Sequence, residues 1–129
     1  MLTLSSGLRI FLASEPTDMR KGPDGLMALV RNRLQLDPFS GSVFVFYSKR
    51  HNRIKCLYWS NGGFFVVYKR LERGRFRIPK FPKDASHVTL EYSKLVLLLD
   101  AFDLQIRRQP LWQPPRRRSD QTALDNPYA

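Results

Sequence analysis

The amino-acid sequence predicts an α+β fold, in which a small antiparallel β-sheet of three to five strands packs with two helices and is followed by a flexible basic tail. Three observations support this fold class. Two β-prone segments flank an Asn61-Gly62 pair, apolar residues recur at helical spacing in two other segments, and hydrophobic periodicity disappears near the C-terminus. The 129 residues fit one domain. We place that domain at residues 1–106 and the tail at residues 107–129.

The predicted sheet is a β-hairpin or meander centred on residues 42–78. Asn61-Gly62 is a strong hairpin sequence because both residues tolerate positive φ. The segments on either side are short, apolar and β-prone, and turn residues bound them. Strands are therefore predicted at 9–13, 42–48, 53–59 and 64–71, with a short further strand ending at Pro79.

Two segments have the periodicity of an amphipathic helix. The first helix is predicted at residues 23–36 and the second at residues 91–103. Pro23 suits the first turn of the first helix, and either Gly22 or Asp24 is a candidate N-cap. The apolar residues that recur three or four positions apart are Leu26, Met27, Val30 and Leu34 in the first helix and Leu95, Leu98, Leu99 and Phe102 in the second.

The composition limits the class of protein. From residue 107 onward prolines, arginines and polar residues predominate without hydrophobic periodicity, so we expect disorder. No apolar run approaches the ~20 residues that a membrane helix needs, and the N-terminus lacks the features of a signal peptide. We therefore expect a cytoplasmic protein without a membrane partner. Cys56 is the single cysteine, which excludes an intrachain disulfide and a cysteine-based zinc site.

The positive charge is concentrated in one part of the chain. Of the net charge of +11, residues 49–80 contribute +9, from ten basic side chains opposed by Glu72. Residues 107–129 contribute a further +3. A concentrated basic segment is typical of a protein that binds a polyanion. The alternative is a charged surface that only maintains solubility, but solubility does not require ten basic residues against one acidic residue.

Pairing across the predicted hairpin defines two faces of the sheet, because side chains alternate along a strand. With Asn61-Gly62 in the turn, Trp59 lies opposite Phe64 and Arg53 lies opposite Arg70. A slip of one residue would exchange the faces. One face is nearly all apolar and is predicted to pack on the core: Ile54, Cys56, Tyr58, Phe65, Val67 and Lys69. The other mixes cations with aromatic and aliphatic residues: Arg53, Lys55, Leu57, Trp59, Phe64, Val66, Tyr68 and Arg70.

The mixed face has the composition of a nucleic-acid-binding surface. Lysine and arginine neutralise phosphates, and aromatic rings stack on unpaired bases. In the alternative interpretation Trp59 and Phe64 only pack against each other under a helix, and the cations extend from the edge. The basic segment continues beyond the hairpin to residue 77. Gly74 within it allows the backbone to turn. The planar guanidinium groups of its arginines have the geometry to hydrogen-bond phosphate oxygens or guanine edges.

The residues predicted to contact nucleic acid lie in the hairpin, in the segment that follows it and in the tail. In the tail, a role in maintaining solubility is an equal alternative. These residues are Lys49, Arg50, Arg53, Lys55, Trp59, Tyr68, Lys69, Arg70, Arg73, Arg75, Arg77, Arg116, Arg117 and Arg118.

The sequence contains few indications of catalysis. Asp18, Asp24 and Glu15 are candidate ligands for a divalent metal in a nuclease, but a loop turn and a helix cap are simpler roles for the two aspartates. His51 and His87 are isolated, and no HExxH, P-loop, GxSxG or CxxC motif is present. We therefore expect a protein that is not an enzyme and has no catalytic residues, metal or cofactor.

The segments TDMRKG at residues 17–22 and KRLERGRF at residues 69–76 form a specific pattern in their order and spacing. With this pattern the chain closely resembles the TnpB accessory proteins of insertion-sequence-66 transposons, which are not the RNA-guided nuclease of the same name. The resemblance extends from about residue 5 to residue 114. The family-motif residues are Thr17, Asp18, Met19, Arg20, Lys21, Gly22, Asp24 and Gly25.

The resemblance implies a role in transposition beside a separate DDE-type transposase, and it implies no catalytic residue. The leading hypothesis is a bacterial, nucleoid-associated accessory factor that binds transposon ends or non-specific duplex DNA. The alternative is a protein-interaction subunit that assembles the transposase. Both hypotheses are compatible with a homo-oligomer. Two residues depart from the family pattern. Pro23 stands where the family usually has an aromatic residue. Ser60 stands where an aspartate commonly follows the tryptophan, which weakens the hypothesis of a metal-binding carboxylate in the hairpin.

Overall fold

The computed structural model describes residues 7–101 and contains five strands and two α-helices in that range. The predicted α+β fold class is confirmed. The tail, including Arg116, Arg117 and Arg118, lies outside the described residues, as do the last two residues predicted for the second helix. Within the described range no helix is long and apolar enough to cross a membrane. The elements are β1 (Ile10–Ala13), α1 (Pro23–Leu29), a π-helical turn (Val30–Leu34), β2 (Val43–Tyr47), β3 (Arg53–Ser60), β4 (Gly63–Arg70), β5 (His87–Leu90) and α2 (Tyr92–Leu99).

The sheet is mixed, with strand order β4-β3-β2-β1-β5. The prediction of a purely antiparallel sheet was wrong for one pair, because β1 and β2 run parallel. A parallel pair needs a crossover connection, and α1 with its π-helical turn supplies it. The sequence interpretation also missed β5, which pairs antiparallel with β1.

The central strand β2 is buried along its whole length. Its valines and Tyr47 pack in one cluster with Leu95 and Leu98 of α2. Phe44 and Phe46 pack in the second cluster with Leu26 of α1. The continuous apolar run VFVFY is thus explained by a sheet that is covered on both faces.

The predicted division of the hairpin into a core face and an exposed face is therefore only half right. Ile54 and Cys56 are buried as expected, but the prediction was wrong for β4, because Phe65 and Val67 of the same face are 51% and 43% exposed. Leu57 on the mixed face is also fully buried, and Phe64 and Val66 pack partly against the α1 cluster. The mixed face is a second packing surface in its middle, so its cations remain accessible only near the strand ends.

The segment after β4 is not the short strand that was predicted to end at Pro79. It is an irregular stretch in which Leu71 N–H donates to Asn52 O at 2.8 Å and Phe76 N–H donates to His51 O at 2.6 Å. The Phe76 side chain is buried in the α2-side cluster. The buried ring, the partly buried Leu71 and Ile78 and two backbone hydrogen bonds, rather than a strand ladder, hold this basic segment against the sheet.

The helix ends differ in detail from the predicted ones. Gly22 is the N-cap of α1, so Asp24 is a first-turn carboxylate near the positive end of the helix rather than the cap. The predicted continuous helix over 23–36 becomes π-helical from Val30 and ends at Leu34. The second helix ends at Leu99, followed by Ala101 at φ 54°.

The burial of Phe76 leads to a stability prediction. We expect Phe76→Ala to lower the free energy of unfolding by about 3–5 kcal/mol, because it removes a large ring from a packed core. Arg75→Ala, at the exposed neighbouring position, should change it by no more than about 0.5 kcal/mol. Urea denaturation monitored by circular dichroism measures both values. Equal, small effects would show that the ring does not anchor the segment.

Candidate nucleic-acid interface

The strand directions bring the basic residues of the hairpin to one end of the sheet. The last residues of β1, β2 and β4 and the first residues of β3 and β5 share this end. Arg53 pairs with Arg70 across the hairpin, and Trp59 pairs with Phe64, so the predicted register is confirmed. We call this end of the sheet the basic end; it carries Lys49, Arg50, Arg53, Lys55, Lys69, Arg70, Arg73, Arg75 and Arg77.

The turn between β2 and β3 presents Lys49 and Arg50. Ser48 Oγ accepts hydrogen bonds from the backbone N–H groups of Asn52 and Arg53 at 3.3 and 3.1 Å, and His51 adopts a left-handed φ of 60°. The hydrogen bond from Phe76 N–H to His51 O places the segment after β4 beside this turn. Two basic segments that lie far apart in sequence therefore become neighbours.

The cations at the basic end fall into two groups. Arg70 Nη2 lies 2.9 Å from Glu72 Oε1, and this hydrogen bond raises the pKa of Arg70. Lys69 Nζ donates to Leu99 O at 2.6 Å, at the C-terminus of α2. Other side chains at this end are exposed and make no ion pair or hydrogen bond with the described part of the chain: Lys49, Arg50, Arg53, Arg73 and Arg75.

The family-motif loop packs beside the basic end. Thr17 N–H donates to Tyr47 O at 2.8 Å, which fixes the loop to the end of β2. Lys55 Nζ donates to Lys21 O at 2.8 Å, which links the loop to β3. A Cβ at Gly25 would lie 3.1 Å from Lys21 Cβ, so a glycine allows the loop to lie this close to α1. The motif has a structural role here, and it adds Arg20 and Lys21 to the exposed cations nearby.

Asp18 and Arg20 form the polar centre of this loop. Arg20 Nη2 lies 2.8 Å from Asp18 Oδ2, and Arg20 N–H donates to Asp18 Oδ1 at 2.9 Å. The side-chain hydrogen bond with Arg20 is the largest cause that lowers the pKa of Asp18 to about 2. Asp18 is thus paired with a cation of its own loop.

The aromatic residues of the mixed face lie in two places. Tyr68 is 47% exposed, and its ring lies below Lys55 with Nζ 5.5 Å from the centroid. Trp59 lies at the opposite end of the hairpin, with its ring centroid 4.8 Å from Phe64 and 4.9 Å from Phe39. This geometry matches the alternative interpretation, in which Trp59 and Phe64 pack against each other. The residue that covers them is Phe39 from a loop, whereas the sequence interpretation expected a helix. The sequence interpretation missed Phe39.

The candidate metal ligands do not form a cluster. Glu15 Oε2 lies 3.6 Å from Arg33 Nη1, and Asp18 is paired with Arg20. Among residues 7–101 no three histidine, cysteine, aspartate or glutamate side chains are grouped closely enough to hold a metal ion.

Burial of Cys56 raises its thiol pKa to about 12, as expected for an inert core cysteine.

The Asp18–Arg20 pair leads to a pH prediction. The folded pKa of about 2 is below the ordinary 3.8, so the stabilisation is complete above pH 3.8 and is lost as the pH falls towards 2. Carboxyl-carbon NMR titration should give a midpoint near 2 for Asp18. Arg20→Gln should raise the midpoint towards 3.8, whereas Arg31→Gln should leave it unchanged. A wild-type midpoint near 3.8 would contradict the pairing.

Comparisons with known proteins give a consistent result. The chain is 40% identical over 117 residues to the uncharacterized protein y4jC of Sinorhizobium fredii strain NBRC 101917 / NGR234, a match that covers 90% of this chain and 98% of the relative. It is 32% identical over 117 residues to the uncharacterized protein y4hO of the same strain, with the same coverage. No solved structure matches.

The family model described as IS66 Orf2 like protein matches residues 8–109. This range includes the motif loop, the hairpin and the basic segment after β4, and it confirms the resemblance found in the sequence. Membership implies an accessory role in the transposition of an insertion sequence. The chain belongs to the IS66 Orf2-like family.

Proposed function

We propose that this protein is a non-enzymatic DNA-binding accessory factor that uses the basic end of its sheet to contact the phosphates of duplex DNA. The observation that supports this proposal most strongly is the position of two basic segments that are distant in sequence. One lies in the β2–β3 turn and the other follows β4, and both lie at the same end of the sheet. Cationic side chains that neutralise phosphates release counterions, and this release favours binding without reading the base sequence.

The state of the individual cations supports this proposal. Arg53, Arg73 and Arg75 have no hydrogen-bonding or ion-pairing partner in the described part of the chain. Binding to phosphate therefore breaks no existing contact of these guanidinium groups. Arg70 and Lys69 already have partners, Glu72 and Leu99 O, so we assign them a smaller share of the binding.

The position of the aromatic residues favours duplex DNA over single strands. Non-specific binding of single strands combines a basic groove with aromatic rings on which bases stack. Trp59 packs against Phe39 and Phe64 at the end of the hairpin opposite the basic end. The one exposed aromatic residue of the hairpin that lies near the basic end is Tyr68, and one side of its ring faces Lys55.

The role that we infer for the protein within transposition is to assist a separate transposase in engaging element DNA on the bacterial nucleoid. The family implies the transposition context. Sequence-independent phosphate contacts suit a factor that holds DNA while another protein recognises the element ends.

The proposal predicts a specific loss of binding in one triple variant. Replacing Arg53, Arg73 and Arg75 together by glutamine should weaken duplex binding on all sequences, because three phosphate contacts disappear. The salt slope should fall by up to about 0.9 for each lost contact, from a wild-type affinity of about 10⁻⁶–10⁻⁴ M at physiological salt. Fluorescence anisotropy over a salt series measures both quantities.

A matched triple variant serves as the control. Arg9, Arg31 and Lys94 are exposed and lie towards the opposite end of the sheet, and their replacement by glutamine removes the same three charges. If both triple variants lose affinity equally, net charge rather than the basic end governs binding. Wild-type affinity in a folded basic-end variant would refute the proposed interface.

Deleting residues 107–129 tests the predicted contribution of Arg116, Arg117 and Arg118. This segment carries +3, against +9 in residues 49–80, so the deletion should weaken binding less than the basic-end triple variant does. The same anisotropy series compares the two. A larger loss on deletion would move the principal binding site to the tail.

The same preparations distinguish the alternatives. Salt-independent affinity, or no binding of DNA without a transposase, would favour the protein-interaction subunit. Cleavage of DNA that requires a divalent metal would favour a nuclease, and Asp18→Asn would then abolish it. Comparison of element-end DNA with random DNA of equal length determines whether binding depends on sequence.

A further inference from the structure

The outer edge of the sheet at β4 is open within the described residues. β4 is the last strand in the order and pairs only with β3. None of its eight residues is buried. Phe65 and Val67 are 51% and 43% exposed on the face that α2 covers, and Tyr68 is 47% exposed on the other face. An exposed apolar edge strand is a template for pairing with a further strand, and folded proteins generally cover such an edge.

The hairpin turn determines which backbone groups of β4 point outward. Both turn residues have positive φ, the geometry of a type I′ turn, so the flanking Ser60 and Gly63 form the first hydrogen-bonded pair. Hydrogen-bonded pairs recur at every second residue, and Leu71 N–H accordingly donates to Asn52 O. The residues between these pairs direct their N–H and C=O groups away from β3, towards the open edge: Phe64, Val66, Tyr68 and Arg70.

We propose that the β4 edges of two copies of the chain pair antiparallel about a two-fold axis, so that the two five-stranded sheets of a homodimer become continuous. The register places Val66 opposite Val66 of the second copy. Because this residue directs both backbone groups outward, the two valines exchange two hydrogen bonds across the axis. A two-fold interface uses the same surface of both copies, so one self-complementary edge is sufficient.

The side chains of β4 are complementary to themselves in this register. Opposed residues of an antiparallel pair lie on the same face of the sheet. Phe65 of each copy therefore lies opposite Val67 of the other, and these exposed apolar side chains cover one another. On the other face, Phe64 lies opposite Tyr68 of the second copy. An axis through Val67 would instead place Phe65 opposite Lys69, which leaves an apolar ring against a charge.

The charges also favour this arrangement. Lys69 lies opposite Gly63 of the second copy and Arg70 lies opposite Gly62, so no cation lies opposite a cation. The basic ends of the two copies lie at opposite ends of the joined sheet, which keeps the two +9 segments apart. A parallel arrangement would bring Lys69 and Arg70 of both copies together. The edge therefore fits a strand with an apolar centre and cations at one end only, and β4 itself is such a strand.

Sedimentation equilibrium of the full-length protein, freed of nucleic acid, tests the dimer. The wild type should show a monomer–dimer equilibrium without DNA. Phe65→Lys with Val67→Lys should raise the dissociation constant of the dimer at least about tenfold, because each new lysine lies opposite another across the axis. The control, Thr89→Lys with Ser93→Lys, adds the same charge to exposed positions of β5 and α2 and should leave the constant unchanged. Unchanged circular dichroism shows that both variants fold.

A charge-swap variant tests the register. Phe65→Lys with Val67→Glu removes the same two apolar side chains as the double-lysine variant, but it places each lysine opposite a glutamate of the second copy. At low salt, where charge pairs are least screened, it should dimerise several-fold more tightly than the double-lysine variant. Equal affinities of these two variants would contradict the register.

Hydrogen exchange identifies what covers the edge. The amides of Phe64, Val66 and Tyr68 should be protected only at protein concentrations at which the dimer forms, whereas the amides of β2 should stay protected throughout. Protection that does not depend on concentration would assign the edge to another segment of the same chain. Rapid exchange at all concentrations would mean that the edge stays open. Either result, or a wild type that remains monomeric, would overturn the proposal.

The dimer does not depend on the proposed DNA binding. The variant in which Arg53, Arg73 and Arg75 are replaced by glutamine keeps the apolar centre of β4 unchanged, so it should dimerise like the wild type. A loss of dimerisation in this variant would place the contact at the basic end and would contradict pairing at the β4 edge.

Discussion

The burial of β2 on both faces is the constraint on which the rest of the structure depends. Its alternating side chains pack into two separate clusters, one under α1 and one under α2. Neither face of the central sheet is therefore open to a ligand, because each face is needed for a core. The surfaces that remain for binding are the two ends of the sheet and its outer edges, and the strongest concentration of cations lies at one end.

The basic end depends on this packing through the buried Phe76 and the partly buried Leu71 and Ile78. Phe76 is buried in the α2-side cluster, while the flanking Arg75 and Arg77 are exposed. Its backbone N–H also bonds to the β2–β3 turn at His51. A buried hydrophobic residue thus holds an otherwise irregular cationic segment in place, which lowers the ordering entropy that such a segment would lose on binding DNA.

The local features of the fold were accessible from sequence, whereas the long-range features were not. Asn61-Gly62 specified the hairpin and its register correctly, because a tight turn fixes which residues face each other. The parallel pairing of β1 with β2 and the strand β5 were missed, because they depend on contacts between residues distant in sequence. For the same reason, Leu57 was assigned to an exposed face although α1 covers that face.

The sequence by itself determined the fold class, the hairpin register and the concentration of charge in residues 49–80, because these follow from local pattern and composition. It also determined the family, through the resemblance of its motif segments. Only the tertiary structure decided which cations are neighbours and which are already paired. It also placed Phe39 against the ring of Trp59. The physical reason is that strand directions and two-sided burial fix where each side chain emerges, and neither quantity is encoded within a short window of sequence.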